Sequence, residues 1–197
     1  MEKILGISGS PRKGGNSDIL LQNLLAGARD GGVATEEIHL CDYQIQPCIG
    51  CERCKKDKRC TGLKDGMQLL YPKIWESKGL ILVTPVYFYN VTAQMKAFID
   101  RLYCYFIYGD ERPGPWSCQL TNQGRKAIIA AIGEQLTDEE GGMDLTMDAM
   151  RRSVGCCDYE IIKELPIYGI FHKGKVRRYA RFLEQAAVLG RELASNL

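Results

Sequence analysis

The feature that most constrains the fold of this chain is a regular alternation of short apolar runs with longer amphipathic segments. The apolar runs are rich in Ile, Leu, Val and Ala, as expected of strands that are buried on both faces of a parallel sheet. Strands that alternate with helices predict an α/β fold. The predicted strands are Ile4–Ser8, Val33–Leu40, Leu80–Thr84, Ala127–Ile132 and Tyr159–Leu165.

Amphipathic helices are predicted between these strands and after the last one. In the first of them, leucines and alanines recur every three or four residues, so they share one face of a helix. The predicted helices are Ser17–Ala28, Lys64–Glu76, Thr92–Tyr103, Met143–Ser153 and Lys175–Ala194. The second and fifth strands carry enough charge to lie at the edges of the sheet. The whole pattern predicts a flavodoxin-like three-layer sandwich, in which a five-stranded parallel sheet has helices on both faces.

Length and composition indicate one domain and favour no charged partner. A chain of 197 residues with 45% hydrophobic and 25% charged residues is typical of a soluble globular protein, and we expect a single domain, 1–197. A net charge of +2 gives no support for nucleic acid binding. No apolar run approaches a membrane span in length, so we expect no membrane association and a cytoplasmic location.

One segment fits neither the strand pattern nor the helix pattern. Gly109–Gln123 is predicted to be an irregular insertion.

A glycine-rich loop follows the first predicted strand and leads into the first helix. It reads G-S-P-R-K-G-G-N-S over Gly9–Ser17. The glycines allow backbone amides to turn inward, the serine, asparagine and arginine side chains can donate hydrogen bonds, and a helix amino terminus attracts negative charge. The loop has neither the Walker spacing nor the dinucleotide fingerprint, so we expect it to bind one terminal phosphate. The alternative is a glycine-rich turn that only caps the helix.

Four cysteines are concentrated in a cysteine-rich loop at 47–61, which we call the cysteine loop. They are Cys48, Cys51, Cys54 and Cys60. Spacings of two residues let a short loop direct neighbouring thiolates at one metal or cluster. The compact run favours a single [4Fe-4S] cluster over zinc, which is usually held by two well-separated pairs. Zinc, bare thiols and a disulfide pair stay open as alternatives.

The other chemically active residue types show no site-like spacing. The cysteines outside the loop are interpreted as buried structural thiols: Cys41, Cys104, Cys118, Cys156 and Cys157. His39 and His172 are isolated from other ligand types in the sequence and are interpreted as structural or surface residues. The acidic stretch 138–140 is interpreted as a solvated face. Because no nucleophile, general base and oxyanion set can be assembled, we predict no catalytic residue.

Two segments of the chain carry a family resemblance. The first is the glycine-rich loop, G-S-P-R-x-G-x-N-S. The second is P-V-Y-F at the end of the third strand, with T-A-Q-M-K-A-F-I-D-R after it. With the cysteines between them, these segments resemble the NADPH-dependent FMN reductase family of flavodoxin-like proteins, and within it most closely the iron-sulfur flavoproteins. The match spans most of residues 3–101.

The resemblance implies where FMN and a cluster would bind. The FMN phosphate would be held by Ser10, Arg12, Asn16 and Ser17. The ribityl chain and isoalloxazine ring would be lined by Pro85, Val86, Tyr87, Phe88, Tyr89 and Asn90. Ligands of a doubly wound sheet bind outside the carboxyl ends of its strands, so Gly133 and Glu134 after the fourth strand should reach the flavin. The cysteine loop follows the second strand, and we expect it near the flavin at the same edge.

The expected function is that of an FMN-dependent oxidoreductase and electron-transfer flavoprotein that also carries a [4Fe-4S] cluster on the cysteine loop. The expected electron donor is NAD(P)H or a redox protein such as ferredoxin, and the resemblance implies a homodimer or homotetramer. Two alternatives stay open. One is an NAD(P)H-dependent FMN or quinone reductase without a cluster, and the other is a non-enzymatic electron carrier or redox sensor.

Overall fold

The computed structural model describes residues 2–137 and 141–197. Its strands are β1 (Lys3–Ser8), β2 (Ala34–His39), β3 (Gly79–Pro85), β4 (Phe106–Tyr108), β5 (Trp116–Cys118), β6 (Lys126–Ile132) and β7 (Glu160–Ile167). Its α-helices are α1 (Asn16–Asp30), α2 (Arg53–Asp57), α3 (Met67–Glu76), α4 (Ala93–Arg101), α5 (Met143–Cys156) and α6 (Ala180–Ser195). The acidic stretch 138–140, for which the sequence predicts a solvated face, lies outside the described residues.

The five long strands form one sheet in the order β2-β1-β3-β6-β7, and every neighbouring pair is parallel. This is the strand order of the flavodoxin-like fold, so the predicted fold class is confirmed. The charged strands β2 and β7 lie at the two edges, as their composition predicts. The chain reverses its direction of winding between β1 and β3, and the loops after these two strands therefore meet at the carboxyl edge of the sheet.

Apolar side chains on the two faces of the sheet form two separate core layers. Alternate strand residues point to opposite faces, so Ile4 of β1 packs with α1 and α6 whereas Leu5 packs with α3, α4 and α5. The α1 and α6 backbones are in close contact, because each helix has a glycine at the crossing point. A Cβ atom on Gly190 would lie 1.9 Å from the carbonyl oxygen of Leu24. Only glycine permits this approach.

Residues 106–118 differ from the predicted irregular insertion. Strands β4 and β5 pair as a short antiparallel hairpin. The hairpin is held by aromatic packing, with the rings of Phe106 and Trp116 5.2 Å apart and the Arg112 guanidinium 3.9 Å above the Tyr108 ring. Each strand has only three residues. Such short segments carry almost no alternation signal, which is why the sequence pattern misses them.

The predicted helices differ from the observed ones mainly at their amino ends. The second predicted helix begins at Met67 rather than Lys64, and the last begins at Ala180 because Lys175–Arg178 forms a separate 3₁₀ turn. The one-turn helix α2 within the cysteine loop has no counterpart in the prediction. No helix in the described ranges combines the length and the apolar character that a membrane span needs.

Candidate functional site

A cavity of about 380 Å³ opens at the carboxyl edge of the sheet, within the size range of small-molecule sites. Loops that follow β1, β3, β6 and β7 form its walls. All of the predicted cofactor-binding residues line it except Asn90. Further lining residues that the sequence reasoning missed are Gly15, Ile132, Gln135, Ile170, Phe171 and Lys173. Three of these, including Phe171 and Lys173, follow β7, so the rule that ligands bind at strand ends could have found them.

A buried carboxylate accepts hydrogen bonds from the start of the glycine-rich loop and stabilises its conformation. Asp18 is fully buried and accepts hydrogen bonds from Ser8 Oγ at 2.6 Å and from the Gly14 N–H at 2.7 Å. Ser10 adds a local turn, since its Oγ accepts a hydrogen bond from the Arg12 N–H at 3.1 Å. Thr92 ties this loop to α4, because its Oγ1 donates to the Gly9 carbonyl at 2.6 Å. The loop is thus fixed before any ligand binds.

The amino end of α1 is open toward the cavity. Its first flanking residue, Gly15, makes no side-chain capping bond. Two cations, Arg12 and Lys173, line the same cavity. A cavity that holds both an uncapped helix end and cations is a favourable place for a phosphate.

Asn16 contributes differently from the sequence expectation, in which its side chain donates to the phosphate. Its Nδ2 donates to the His172 carbonyl at 3.0 Å, and its Oδ1 accepts from the Val176 N–H at 3.1 Å. The side chain therefore joins α1 to the segment after β7. The contribution that Asn16 can make toward an anion lies in its backbone N–H at the start of the helix.

A tight turn presents the aromatic residues of the second loop. Tyr87 and Asn90 exchange two backbone hydrogen bonds, at 2.8 and 3.0 Å. The two residues between them, Phe88 and Tyr89, have φ angles of 41° and 67°. Positive φ at both central positions is the geometry of a type I′ turn, and it is uncommon for bulky residues. Phe88 is 96% exposed at the cavity mouth.

The loops around the cavity are joined to one another by backbone hydrogen bonds. The Val86 N–H donates to the Ile132 carbonyl at 2.8 Å, and the Gly133 N–H donates to the Ile167 carbonyl at 2.9 Å. A third bond, from the Ile170 N–H to the Gly133 carbonyl at 3.0 Å, fastens the segment after β7. These bonds position the predicted residues Gly133 and Glu134 beside Val86, which leads into the aromatic turn.

His39 is not isolated from carboxylates in the structure. Its Nε2 lies 2.8 Å from Glu37 Oε1, and its Nδ1 lies 3.3 Å from Asp18 Oδ1. The strand and helix that carry these groups meet below the glycine-rich loop, which sequence spacing does not show. Because none of the three lines the cavity, we interpret His39 as part of the support beneath the loop.

A second cavity is lined by all four cysteines of the cysteine loop. The loop turns sharply through residues with positive φ, among them Gly50, Glu52 and Lys58. Gly62 lets it fold back on itself, because a Cβ atom there would lie 2.4 Å from the Cys51 sulfur. Burial raises the pKa of the Cys54 thiol, and nearby Cys60 raises it further. Positive charge near Cys54 would oppose this effect and favour its thiolate.

A buried positive charge, Arg101 at the end of α4, lies beside the cysteine loop. Its guanidinium is buried beside the cysteines, and Nη2 donates to the Cys60 sulfur at 3.5 Å. Nη1 donates to Asp65 Oδ2 at 2.7 Å and to the Gln46 carbonyl at 2.9 Å, which anchors both ends of the cysteine loop. Cys104 lines the same cavity, and burial raises the pKa of its thiol to about 12. Sequence spacing pointed to neither residue.

The position of the cysteine loop differs from the sequence expectation. The two cavities have no lining residue in common among the described residues, and they lie toward opposite ends of α4. The amino end of α4 is next to the glycine-rich loop through Thr92, whereas its carboxyl end holds Arg101. Nine helical residues correspond to about 13 Å. The cysteine loop runs back along α4 because Arg101 binds it there.

The four thiols line one cavity, but their present positions do not form a metal-binding group. Across residues 2–137 and 141–197, no three His, Cys, Asp or Glu side chains are grouped closely enough to hold a metal ion as they stand. All nine cysteines are free of disulfide bonds.

Comparison with known protein families assigns the chain. The family model described as NADPH-dependent FMN reductase matches residues 2–133, which include the glycine-rich loop, the cysteine loop and the aromatic turn. The chain belongs to this family. Its members are FMN-dependent oxidoreductases, so the predicted family and cofactor class are confirmed.

Relatives within the family carry the name iron-sulfur flavoprotein. One from Methanocaldococcus jannaschii is 37% identical over 145 residues, which are 74% of this chain and 67% of the relative. One from Archaeoglobus fulgidus is 42% identical over 103 residues, 52% of this chain and 46% of the relative. The matched segment thus spans two thirds of the first relative and about half of the second.

Solved structures share the fold over nearly the whole chain. An NAD(P)H:quinone oxidoreductase from Methanothermobacter marburgensis has a TM-score of 0.71 at 16% identity, with 98% of each chain covered. An azoreductase from Bacillus anthracis has a TM-score of 0.70 at 14% identity, with 100% of each chain covered. At these identities the likeness establishes the flavodoxin-like fold alone.

Proposed function

We propose that this chain binds FMN in the cavity at the carboxyl edge of the sheet and exchanges electrons through a [4Fe-4S] cluster held by Cys48, Cys51, Cys54 and Cys60. The observation that carries the proposal is the pairing of two built sites in one domain. One is a cavity that combines an uncapped helix end, two cations and an aromatic turn. The other is a cavity lined by four cysteines and a buried arginine.

The carboxyl-edge cavity fits FMN because it combines groups that can bind a phosphate with aromatic surface for a flat ring. Ser10, Arg12, Ser17 and the backbone of Asn16 are at the end that suits a phosphate. The turn from Pro85 through Tyr89 supplies flat apolar surface, and it begins next to Gly133, where a Cβ atom would lie 3.2 Å from Val86 Cγ2. Asn90 does not line the cavity and would act by shaping the turn, since its Oδ1 accepts a hydrogen bond from the Val91 N–H at 2.8 Å.

The cysteine cavity fits an iron-sulfur cluster by the chemistry of its donors. Four thiols of one loop face a single cavity, and thiolates are the usual protein ligands of such clusters. Arg101 supplies a fixed positive charge beside Cys60, which would offset the negative charge of a thiolate-bound group. Relatives that are 37% and 42% identical to matched parts of this chain are named iron-sulfur flavoprotein.

FMN, when bound, would supply a ring that takes up an electron pair and passes electrons on singly, which is the chemistry that a cluster partner requires. The chain's own residues bind, orient and shield that ring. The network around Asp18 fixes the phosphate wall, and the bonds of Val86 and Gly133 fix the ring wall. No acid–base residue is assigned, because electron transfer requires none.

The test is anaerobic purification followed by an absorption spectrum and assays of flavin, iron, sulfide and zinc. We expect FMN together with iron and sulfide. Cys54→Ser should remove iron and sulfide but keep FMN, whereas the exposed Cys156→Ser, outside the loop, should keep all three. Absence of iron and sulfide in strictly anaerobic protein would remove the cluster from the proposal. Absence of flavin after purification with added FMN would remove the cofactor itself.

The donor and the assembly are tested separately. Bleaching of the bound flavin by NADH or NADPH would identify a pyridine nucleotide donor, whereas bleaching by reduced ferredoxin alone would identify a protein donor. If the protein is a reductase without a cluster, NADH or NADPH should bleach the bound flavin in protein that contains no iron. We also propose a homo-oligomer, which sedimentation of the holoprotein would measure.

A further inference from the structure

One buried side chain at the cysteine cavity has a hydrogen-bond donor without a partner. Arg101 is 2% exposed, and it lines the cavity together with the four cysteines of the cysteine loop. Its two terminal nitrogens both bind Asp65, and they also donate to the Gln46 carbonyl and the Cys60 sulfur. Its Nε is buried as well, but it has no hydrogen-bond partner among the described residues. A buried donor without a partner costs free energy, so we expect a bound group to supply the missing acceptor.

The charges around the cavity leave its positive side to Arg101. Within the part of the chain that the structure describes, Arg101 is the one cation that lines the cavity. The acidic residues that line it, Glu52 and Asp100, each form an ion pair with a basic residue that does not. Asp65, the partner of Arg101, does not line the cavity either. The positive end of the Arg101–Asp65 pair is therefore the end that adjoins the cysteines.

The cysteines around this cavity differ in exposure. Two of the four are exposed, whereas Cys54 and Cys60 are partly buried. Cys60 is held at its backbone and at its side chain, because Gln68 Nε2 donates to its carbonyl at 3.0 Å and Arg101 Nη2 donates to its sulfur at 3.5 Å. Arg101 thus adjoins the more buried thiols, where solvent and salt screen a charge less than at the surface.

The position of the Arg101 charge is fixed by the surrounding fold. The Tyr71 hydroxyl donates to the Arg101 carbonyl at 3.1 Å, which holds the backbone at the end of α4. The Asp65 carboxylate accepts two hydrogen bonds from the guanidinium, at 2.7 and 3.1 Å, which holds the side chain. A charge fixed in this way acts on a neighbouring group without first having to rearrange.

We propose that Arg101 sets the reduction potential of the [4Fe-4S] cluster, by donating through Nη2 to the Cys60 sulfur and through Nε to a sulfur of the cluster itself. This inference rests on the proposed function, because it requires the cluster. One-electron reduction adds one negative charge to the cluster. Hydrogen bonds to the sulfurs and a fixed positive charge nearby stabilise the reduced form more than the oxidised form. Arg101 therefore raises the potential, which favours the transfer of single electrons from reduced flavin to the cluster.

The test is an anaerobic redox titration of the purified holoprotein, in which electron paramagnetic resonance follows the cluster and absorption follows the flavin. Arg101→Gln should lower the midpoint potential of the cluster and leave that of FMN almost unchanged. Arg101→Lys keeps the charge but has a single donor nitrogen, so its cluster potential should lie between those of Arg101→Gln and the unmodified protein.

Arg59→Gln is the matched control. Arg59 is exposed and directly precedes Cys60, but it does not line the cavity. Removing its charge should shift the cluster potential much less than Arg101→Gln does, because solvent screens it.

Two results would overturn the inference. One is a cluster potential in Arg101→Gln that equals that of the unmodified protein. The other is an equal shift in Arg59→Gln, which would assign the effect to the general charge of the loop. Iron and sulfide assays on the same samples separate this inference from the proposed function. If the unmodified protein contains neither iron nor sulfide, both fail, whereas a loaded protein with an unchanged potential refutes the role of Arg101 alone.

If Arg101→Gln does not fold or does not bind iron, pulsed electron paramagnetic resonance of protein with Arg101 intact decides instead. The protein is produced with arginine that carries ¹⁵N in its guanidinium group, and the cluster is reduced with dithionite. Lysine at Arg53 and Arg59 removes the other guanidinium groups of the cysteine loop, both of them exposed. We expect a ¹⁵N coupling to the cluster that persists in this variant, and its absence would overturn the inference.

Discussion

Replacing Asp65 by asparagine should destabilise the fold by about 3 kcal/mol and loosen the cysteine loop. The carboxylate accepts two hydrogen bonds from Arg101, at 2.7 and 3.1 Å, and two from the N–H groups of Gln46 and Met67. The side chains of Arg101 and Asp65 are 1% and 4% exposed, respectively. The amide would leave the buried guanidinium without an opposite charge, and such a loss costs about 3–5 kcal/mol. The lower end applies because the amide oxygen can keep some of these bonds.

The measurement is equilibrium urea unfolding of the anaerobic holoprotein, followed by circular dichroism, with iron content assayed in parallel. Asp148→Asn is the matched control, since this carboxylate pairs with Arg151 and Arg152 on the exposed face of α5 and should leave the midpoint almost unchanged. A loss below about 1 kcal/mol for Asp65→Asn would refute the reasoning, because it would put this pair in the range of surface ion pairs.

Further predictions concern the two cavities, the helix crossing and pH. Arg12→Ala should weaken FMN binding by about tenfold or more, since a hydrogen bond to a charged group contributes about 1.5–3 kcal/mol. Lys13→Ala is the control and should leave FMN binding unchanged, because Lys13 pairs with Asp42 outside the cavity. Flavin fluorescence titration measures the affinity of both variants. Gly62→Ala should lower bound iron without unfolding the chain, because its Cβ would displace the Cys51 sulfur. Gly190→Ala should lower stability by about 1–3 kcal/mol in the same urea assay through overpacking at the α1–α6 crossing. Burial raises the pKa of Asp65, but the Arg101 guanidinium outweighs this effect and lowers it. The stability that this ion pair contributes should therefore be present near neutral pH and be lost as pH falls through the lowered pKa. Asp65→Asn should not show this loss of stability at acid pH.

The sequence predicted those parts of the structure that depend on local pattern. Buried strands such as β3 and β6 are continuous apolar runs, and the glycine-rich loop and aromatic turn follow strands whose carboxyl ends share an edge. The β4–β5 hairpin was missed because strands of three residues show almost no alternation of polar and apolar residues. The aromatic contacts that stabilise the hairpin join residues of different strands, which local sequence does not show. The lining residues after β7 carry no recognisable binding motif, so only their place after the fifth predicted strand points to them.

The support of the cysteine loop could not be predicted, because it depends on distant parts of the chain. Arg101 reaches Cys60 across 41 positions, and Cys104 arrives at the same cavity from the turn after α4. Local spacing identifies the four loop thiols as a group, but it contains no information about the residues that fold against them. Tertiary packing alone decides which buried charge faces a given sulfur.

The placement of the two cavities at opposite ends of α4 has a consequence for how such a protein can change in length. A helix fixes angular phase as well as distance, because each added residue turns everything beyond it by about 100°. One insertion between Thr92 and Arg101 would therefore rotate the guanidinium away from the cysteines while leaving the cavity at the other end intact. The cysteine loop is held by bonds at its two ends, so insertions between Cys54 and Cys60 change neither anchor. We expect length variation to be tolerated in that loop and excluded from α4.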